Sequence, residues 1–325
     1  MENQTITAIQ GIKVGHAHNL NAGTGCTVIL CPPNTVGGVD QRGGAPGTRE
    51  TDLLRPMHLI QHVHAILLTG GSAYGLNAAA GVMSYLERQG IGYDVGVGVV
   101  PIVPAAVIFD LDFGMADIRP DMHMGYQAAE TASALPVQVG CVGAGVGAKV
   151  GMLNGIQFAC KSGVGSVAIT LGEGVIVGAL MVVNAFGDVI DDDGTILAGT
   201  RQAPEGRSFI DSFSALSQLA LMPSMPTNTV IGVVATNAKL NKEEANKVAQ
   251  MAHNGIAQAV RPAHTMYDGD TIFALATGEF KQGNVNVLGA YAAKAVAMAI
   301  RQAVEVVTPL GNLPTGKHIR ENISW

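Results

Sequence analysis

The chain has 325 residues, with 19 basic and 25 acidic side chains and a formal net charge of −6. This charge gives no indication of a basic surface that would bind nucleic acid. Hydrophobic residues make up 48% of the chain and exclude disorder, while 42 glycines indicate a large core with close backbone packing. The cleanest apolar run, residues 174–183, is too short to span a membrane, and no secretory signal is readable, so we expect a soluble, cytoplasmic protein.

Short apolar segments bounded by turn residues predict buried strands, and segments with helical spacing of apolar residues predict helices. In chain order, the predicted elements are strands at 26–30 and 64–69, a helix at 74–89, strands at 95–103, 166–171, 175–183 and 230–236, a helix at 241–260, a strand at 272–277 and a helix at 288–307. The helix at 241–260 begins with a capping box formed by Asn241 and Glu244. The pattern predicts a mixed α/β fold.

Two glycine-rich segments suggest familiar motifs and fail in detail. GCVGAGVGAKVG (140–151) lacks the GK[ST] of a phosphate-binding loop, so we interpret it as close backbone packing. GGSAYG (70–75) places its second glycine one residue too late for a GxSxG nucleophile elbow. We interpret it as a strand-to-helix turn capped by Ser72.

Cysteines and histidines give no metal signature. His58 and His62 lack the glutamate of an HExxH zinc motif, so no metal is predicted. His253 and His264 flank the end of the helix at 241–260, and the sequence leaves open a structural or a substrate-facing role. The cysteines lack CxxC spacing and are interpreted as buried free thiols; they are Cys26, Cys31, Cys141 and Cys160.

Three polar features stand next to predicted strands. Asp268 and Asp270 flank a glycine ahead of one strand. They form either a solvated turn or a pair of carboxylates directed at one group. Asn184 ends a long apolar strand, where a buried amide is either structural or an oxyanion donor. Residues 203–228 are polar and then proline-containing, which is typical of an exposed processing point just before Thr229.

Eight segments in one order carry a family resemblance. They are GGAPGTRETDLL, LTGGSAYGLNAA, VPIVPAAVIFDL, VGAGVGAKVG, KSGVGS, VVNAFGDV, NTVIGVVATNAKL and HTMYDGDTIFALATG. In this combination the chain resembles the DmpA-type aminopeptidase family, from about residue 12 to residue 278. The family includes L-aminopeptidase/D-esterases, β-peptidyl aminopeptidases and hydrolases of nylon (6-aminohexanoate) oligomers, and the site pattern is most similar to the last branch.

The resemblance implies an αββα layered sandwich, similar to N-terminal-nucleophile hydrolases but with variant connectivity. It also implies a single domain that cuts itself between Asn228 and Thr229 into an α chain, 1–228, and a β chain, 229–325. Thr229 is then the nucleophile and its new α-amine the general base. The expected substrates are small peptides, amides or esters, without a cofactor, and the expected assembly is a homotetramer of αβ units.

Further site residues follow from the same resemblance. Asn184 matches the family asparagine that stabilises the oxyanion. Lys161 matches a lysine near the nucleophile of the nylon-oligomer hydrolases, with Lys149 as the alternative.

The resemblance also gives the acidic pair a role. Asp268 and Asp270 match the aspartate pair of the nylon-oligomer branch, and the expected role of the two carboxylates is to orient Thr229 and its amine. Phe109, a candidate substrate-binding residue, replaces a tyrosine of the β-aminopeptidases, so a phenol contact is missing.

Three other functions compete with this self-cleaving aminopeptidase. One is acyl transfer of the ornithine acetyltransferase kind, with an amine replacing water. Another is a binding protein whose Asn228–Thr229 bond stays uncut. The last is a histidine-based metallohydrolase.

Overall fold

A computed structural model describes residues 3–217 and 228–324. The strands are β1 (Lys13–Asn19), β2 (Thr24–Leu30), β3 (Val36–Gln41), β4 (Thr48–Arg49), β5 (Ala65–Thr69), β6 (Tyr93–Asp94), β7 (Val99–Val100), β8 (Ala105–Val107), β9 (Lys149–Val150), β10 (Cys160–Lys161), β11 (Val164–Thr170), β12 (Ile176–Asn184), β13 (Asp188–Ile190), β14 (Ile196–Ala198), β15 (Thr229–Thr236), β16 (Val260–Arg261) and β17 (Thr271–Ala276). The helices are α1 (Ala78–Arg88), α2 (Met122–Glu130), α3 (Ser212–Leu216), α4 (Lys242–Ala259), α5 (Val285–Glu305) and α6 (Gly316–Arg320).

Two five-stranded sheets form the centre of the molecule. Sheet I has the strand order β1-β2-β5-β8-β4, and sheet II has the order β11-β12-β15-β17-β3. Neighbouring strands are antiparallel except for β5 with β8 and β15 with β17. Helices α1 and α2 cover sheet I, and α4 and α5 cover sheet II. The predicted αββα layered sandwich is confirmed.

Three apolar layers hold these elements together. The layer between the sheets includes Ile66 and Leu68 of sheet I facing Ile231 of sheet II. Alternate residues of the same strands, such as Leu67 and Val230, face the helices instead. This two-residue alternation is the expected consequence of strand geometry and makes both faces of each sheet apolar.

Glycine permits the close approach of α5 to sheet II. A Cβ added at Gly165 of β11 would lie 1.9 Å from the carbonyl oxygen of Ala299, so any side chain there would push α5 away. By length and composition α5 is apolar enough to cross a membrane, yet 61% of its most apolar window is buried within the protein, as in core helices generally.

Six of the seven predicted strands and all three predicted helices are present, and the capping box of Asn241 and Glu244 is confirmed. The predicted strand at 95–103 is wrong. Gly96 and Gly98 have φ of +80° and +155°, and they bend the chain into the short β6–β7 hairpin, whose Val97 is 97% exposed. The sequence analysis did not predict β1, β3 or α2.

Two smaller predictions need correction. Ser72 does not cap the turn after β5: Gly71 is the N-cap residue and makes no side-chain cap bond, and its N–H donates to Asp110 Oδ1 at 2.6 Å. All four cysteines are free, but only Cys26 and Cys160 are buried, since Cys31 and Cys141 are partly exposed. Of the predicted processing segment, residues 218–227 lie outside the described residues.

Candidate active site

Thr229 and Asn184 meet at one end of sheet II. Thr229 is the first residue of β15, Asn184 is the last residue of β12, and the two are directly opposed in the antiparallel ladder. Thr229 shares its strand face with Ile231, and Asn184 shares its face with Val182, so both side chains face the interior between the sheets. Thr229 is 4% exposed and Asn184 is fully buried.

The Thr229 hydroxyl lies against the peptide bond that precedes it. Its Oγ1 donates a hydrogen bond to the carbonyl oxygen of Asn228. The same oxygen accepts the N–H of Gly269 at 2.8 Å, and the N–H of Asn228 donates to the carbonyl of Tyr267 at 2.6 Å. The 267–269 loop therefore fixes both the N–H and the carbonyl oxygen of Asn228.

Gly269 is required by close approach. A Cβ at this position would lie 2.9 Å from Thr229 Oγ1 and 2.7 Å from the carbonyl oxygen of Ala45. The glycine of the predicted Asp-Gly-Asp motif thus brings a backbone N–H to the Asn228 carbonyl where no side chain fits.

Asp270 bonds the residue that follows Thr229. Its Oδ1 accepts the N–H of Val230 at 2.8 Å. Its Oδ2 accepts the backbone N–H of His264 at 3.1 Å and His264 Nδ1 at 2.7 Å. The carboxyl group is 1% exposed, and these donors stabilise its charge.

Asp268 lies on the other side of Gly269 and is 2% exposed. Its Oδ2 accepts the N–H and the hydroxyl of Thr265 at 2.8 and 2.6 Å. Burial, followed by repulsion from Asp270, raises the pKa of Asp268 to about 6. The predicted acidic pair is therefore buried rather than solvated, and its members have different partners.

The amide of Asn184 is anchored on both sides. Its Oδ1 accepts the backbone N–H of Lys149 at 3.1 Å, and its Nδ2 donates to the carbonyl oxygen of Phe109 at 3.1 Å. The Phe109 carbonyl also accepts Lys149 Nζ at 3.2 Å, and Lys149 Nζ forms an ion pair of 2.7 Å with Asp112. The main chain of Phe109 thus joins Asn184 to Lys149, while its side chain is half-buried.

Lys161 is directly opposed to Lys149 on the β9–β10 ladder, and both are fully buried. Its ammonium donates to the carbonyl oxygens of Gly145 at 2.9 Å, Ala148 at 2.7 Å and Ser162. Burial lowers the pKa of Lys161 to about 8. The structure therefore links Lys149 to Asn184, and it links Lys161 to the glycine-rich backbone.

The described structure brings together Thr229, Asn184, Asp268 and Asp270. Sequence reasoning missed Asp112 and Thr265, although Thr265 stands three residues before Asp268, a usual spacing for turn hydrogen bonds. Within residues 3–217 and 228–324, no group of three or more His, Cys, Asp or Glu side chains is arranged to hold a metal ion.

Two five-stranded sheets packed between two pairs of helices form the architecture of the N-terminal-nucleophile (Ntn) hydrolase fold. A β-aminopeptidase from Burkholderia sp. superposes with a TM-score of 0.70 at 20% identity, covering 99% of this chain and 95% of that chain. An L-aminopeptidase D-Ala-esterase/amidase from Ochrobactrum anthropi, described as a variant of the Ntn-hydrolase fold, gives a TM-score of 0.72 at 17% identity, covering 98% of this chain and 92% of that chain.

Residues 4–310 match the model of peptidase family S58, and the chain belongs to this family. A Mycobacterium leprae (strain TN) protein named as an uncharacterized aminopeptidase is 43% identical, covering 96% of this chain and 92% of the relative. A 6-aminohexanoate-oligomer endohydrolase from Agromyces sp. (strain KY5R) is 32% identical, covering 83% of this chain and 74% of that enzyme. The protein is accordingly an enzyme, a hydrolase, as the sequence resemblance predicts.

Proposed function

We propose that the protein cuts itself between Asn228 and Thr229 and then hydrolyses amide bonds of small peptides or amides with Thr229 as nucleophile. One observation carries the proposal: Thr229 Oγ1 contacts the Asn228 carbonyl while Gly269 N–H holds the oxygen of that carbonyl at 2.8 Å. A nucleophile beside a carbonyl whose oxygen accepts a fixed backbone donor is the arrangement needed for acyl transfer.

Self-cleavage begins when Thr229 Oγ1 adds to the carbonyl carbon of residue 228 and the oxygen becomes an oxyanion held by Gly269 N–H. The bond between that carbon and the Thr229 nitrogen then breaks, and the nitrogen takes up the hydroxyl proton. This leaves an ester between residue 228 and Thr229 Oγ1. Water hydrolyses the ester, which gives a carboxylate on Asn228 and a free amine and hydroxyl on Thr229.

Turnover uses the groups that cleavage releases. A free α-amine has an ordinary pKa of about 7.7–8.0, so a useful fraction is neutral near pH 7. The neutral amine takes the proton of Thr229 Oγ1 as the oxygen attacks a substrate carbonyl. The resulting α-ammonium gives this proton to the substrate nitrogen, the substrate amine leaves and an acyl-enzyme remains. Water then hydrolyses the acyl-enzyme ester, which releases the acyl group as a carboxylate and restores the Thr229 hydroxyl.

Neighbouring side chains stabilise these steps. Asn184 faces the same interior space as Thr229 and supplies an amide donor for the oxyanion, both in self-cleavage and on the substrate. Lys149 pairs with Asp112 and donates to the Phe109 carbonyl. Because the same carbonyl accepts the Asn184 amide, Lys149 helps to fix the orientation of that amide. Asp270 holds the backbone next to Thr229 and favours the charged form of the new amine between turnovers.

Two kinds of relatives support different substrates. Mycobacterial relatives named as aminopeptidases are 43–44% identical over 96% of this chain, whereas relatives named as 6-aminohexanoate-oligomer endohydrolases are 32% identical over 83–91% of it. The higher identity and coverage favour release of N-terminal residues from small peptides or amides.

The activity is tested with a panel of L- and D-aminoacyl p-nitroanilides, β-aminoacyl p-nitroanilides and a 6-aminohexanoate trimer. We expect hydrolysis of at least one aminoacyl anilide by wild type and no hydrolysis by Thr229→Ala. The matched control is Thr236→Ala, which removes a buried hydroxyl at the other end of β15. Equal activity of Thr229→Ala and wild type would refute the proposal. Faster acyl transfer to an added amino acid than to water would identify a transferase instead.

A further inference from the structure

His264 is hydrogen-bonded to Asp270, the residue whose carboxyl group also holds the start of β15. Its backbone N–H and its ring Nδ1 both donate to Asp270 Oδ2, at 3.1 and 2.7 Å. The opposite oxygen of Asp270 accepts the N–H of Val230, the residue after Thr229, at 2.8 Å. One side of the carboxyl group is therefore held by His264, and the other side holds the strand that carries Thr229.

The backbone of His264 is in an uncommon conformation. Its φ is +59°, in the left-handed region that residues with a Cβ seldom occupy. This conformation lets the main-chain and the side-chain donor of one residue reach the same oxygen of Asp270. Backbone outliers of this kind cluster at functional sites, and here the partner is a carboxyl group that is 1% exposed.

A second histidine fixes the ring of His264. The His253 ring, on α4, makes an edge contact with the His264 ring, with centroids 4.9 Å apart and an interplanar angle of 66°. His253 Nε2 lies 2.9 Å from the carbonyl oxygen of Asp40, so this nitrogen carries the proton and donates. Burial lowers the pKa of His253 to about 4 and keeps its ring neutral.

Two carboxyl groups lie beside this pair of rings: Asp40 lies next to His253, and Asp270 accepts the hydrogen bond from His264. The Asp40 carboxylate lies 3.7 Å from His253 Nε2 and is paired with Arg42 at 2.7 Å. The neutral His253 ring packs against His264, so the ring contact restricts the orientation in which Nδ1 of His264 faces Asp270.

We propose that His264 is a positioning residue, whose Nδ1–H holds Asp270 in the orientation that fixes Val230 and therefore Thr229. Before cleavage this places Thr229 Oγ1 against the Asn228 carbonyl, and after cleavage it places the new amine. The inference rests on the proposed role of Thr229 and assigns His264 to the same reaction.

The test compares His264→Asn with His264→Gly. Asparagine and glycine both accept the left-handed backbone, but only asparagine carries an N–H donor at the position of Nδ1. Each chain is made by cell-free translation, and the first-order rate of self-cleavage is followed by gel and intact mass after synthesis stops. The matched control is Asn34→Gly, which changes an exposed residue with φ of +64° far from Asp270 in the sequence.

We expect His264→Gly to cleave about 10- to 100-fold more slowly than wild type, because small displacements of a nucleophile have effects of this size. His264→Asn should restore most of the rate, and Asn34→Gly should leave it unchanged. Thermal unfolding of each variant in the Thr229→Ala background separates positioning from stability, since a merely structural role would lower the melting temperature without separating the two cleavage rates.

Two results would overturn the inference: cleavage of His264→Gly at the wild-type rate, or cleavage of His264→Asn as slow as that of His264→Gly. Failure of the proposed function looks different. In that case the wild-type chain does not cleave, or Thr229→Ala cleaves like wild type, whatever residue stands at position 264.

Discussion

Asn184 and Thr229 are directly opposed on β12 and β15, and both point into the space between the two sheets. Asn184→Leu keeps similar volume and removes the amide. We expect self-cleavage and turnover to slow by about 10²- to 10³-fold, as for loss of one oxyanion donor. The measurement is the cleavage rate together with kcat on the anilide that the wild-type enzyme hydrolyses.

Asn237→Leu is the matched control for Asn184→Leu. Asn237 Oδ1 accepts the N–H of Ile176, and Asn237 Nδ2 donates to Gly174, so this amide anchors backbone at the opposite end of β12. Its loss should lower the melting temperature and leave the cleavage rate unchanged. Equal loss of rate in both variants would show that Asn184 acts only through stability.

Gly269→Ala tests the close approach of the 267–269 loop to the Thr229 hydroxyl. The added Cβ would lie 2.9 Å from Thr229 Oγ1, so it should displace either the hydroxyl or the Gly269 N–H that holds the Asn228 carbonyl. We expect at least a tenfold slower self-cleavage. Gly172→Ala is the control, because an added Cβ there meets no atom within 4 Å. Wild-type cleavage of Gly269→Ala would contradict the oxyanion role of this backbone donor.

The two buried lysines should respond differently to replacement by methionine. Lys149→Met removes the cation that anchors the Phe109 carbonyl beside Asn184, and we expect roughly 100-fold slower cleavage. Lys161→Met removes the ammonium donor that three backbone carbonyls share, although Gly145 and Ala148 each keep a backbone N–H donor, so it should lower the free energy of unfolding by about 3 kcal/mol. Chemical denaturation and the cleavage assay measure both effects. If Lys161→Met alone lost cleavage and kept its stability, Lys161 rather than Lys149 would be the lysine that supports self-cleavage.

Asp268 makes stability depend on pH in a defined direction. Its pKa is about 6 in the folded protein, against about 3.9 for an unfolded aspartate, so the folded state holds a proton that the unfolded state has lost. The stability from this group is therefore present below about pH 4 and falls as pH rises to about 6, by roughly 3 kcal/mol at most.

Asp268→Asn removes this titration and keeps an oxygen acceptor for Thr265. In the uncut Thr229→Ala background, Asp268→Asn should gain stability relative to its parent between pH 4 and pH 7. Urea unfolding at several pH values measures the difference. Parallel pH profiles for the two proteins would contradict the raised pKa.

The sequence predicted those parts of the fold that have strong local signals. Long apolar runs gave β12, β15 and β17, because both faces of these central strands are buried. Edge strands β1 and β3 combine glycine with polar residues, so neither alternation nor a run marks them. The error at 95–103 has the same origin: glycine φ values decide between strand and hairpin, and apolarity does not report them.

The sequence indicated the residues of the candidate site at the level of motifs. Thr229, Asn184 and the Asp-Gly-Asp turn stand at strand ends, where sequence segments are distinctive. The sequence could not decide between Lys149 and Lys161, because the two lysines are cross-strand partners and only their hydrogen bonds distinguish them. The left-handed backbone of His264 has no signal in the sequence, since it depends on Asp270, six residues later.

The intact mass of purified wild-type protein, compared with that of Thr229→Ala, decides whether the chain cuts itself before Thr229. We expect two polypeptides from wild type, whose masses match residues 1–228 and 229–325, with threonine as the first residue of the smaller one. We expect one uncut chain from Thr229→Ala and renewed cleavage in Thr229→Ser. A single full-length chain from active wild-type enzyme, or a cut at any other bond, would rule out self-cleavage at Thr229.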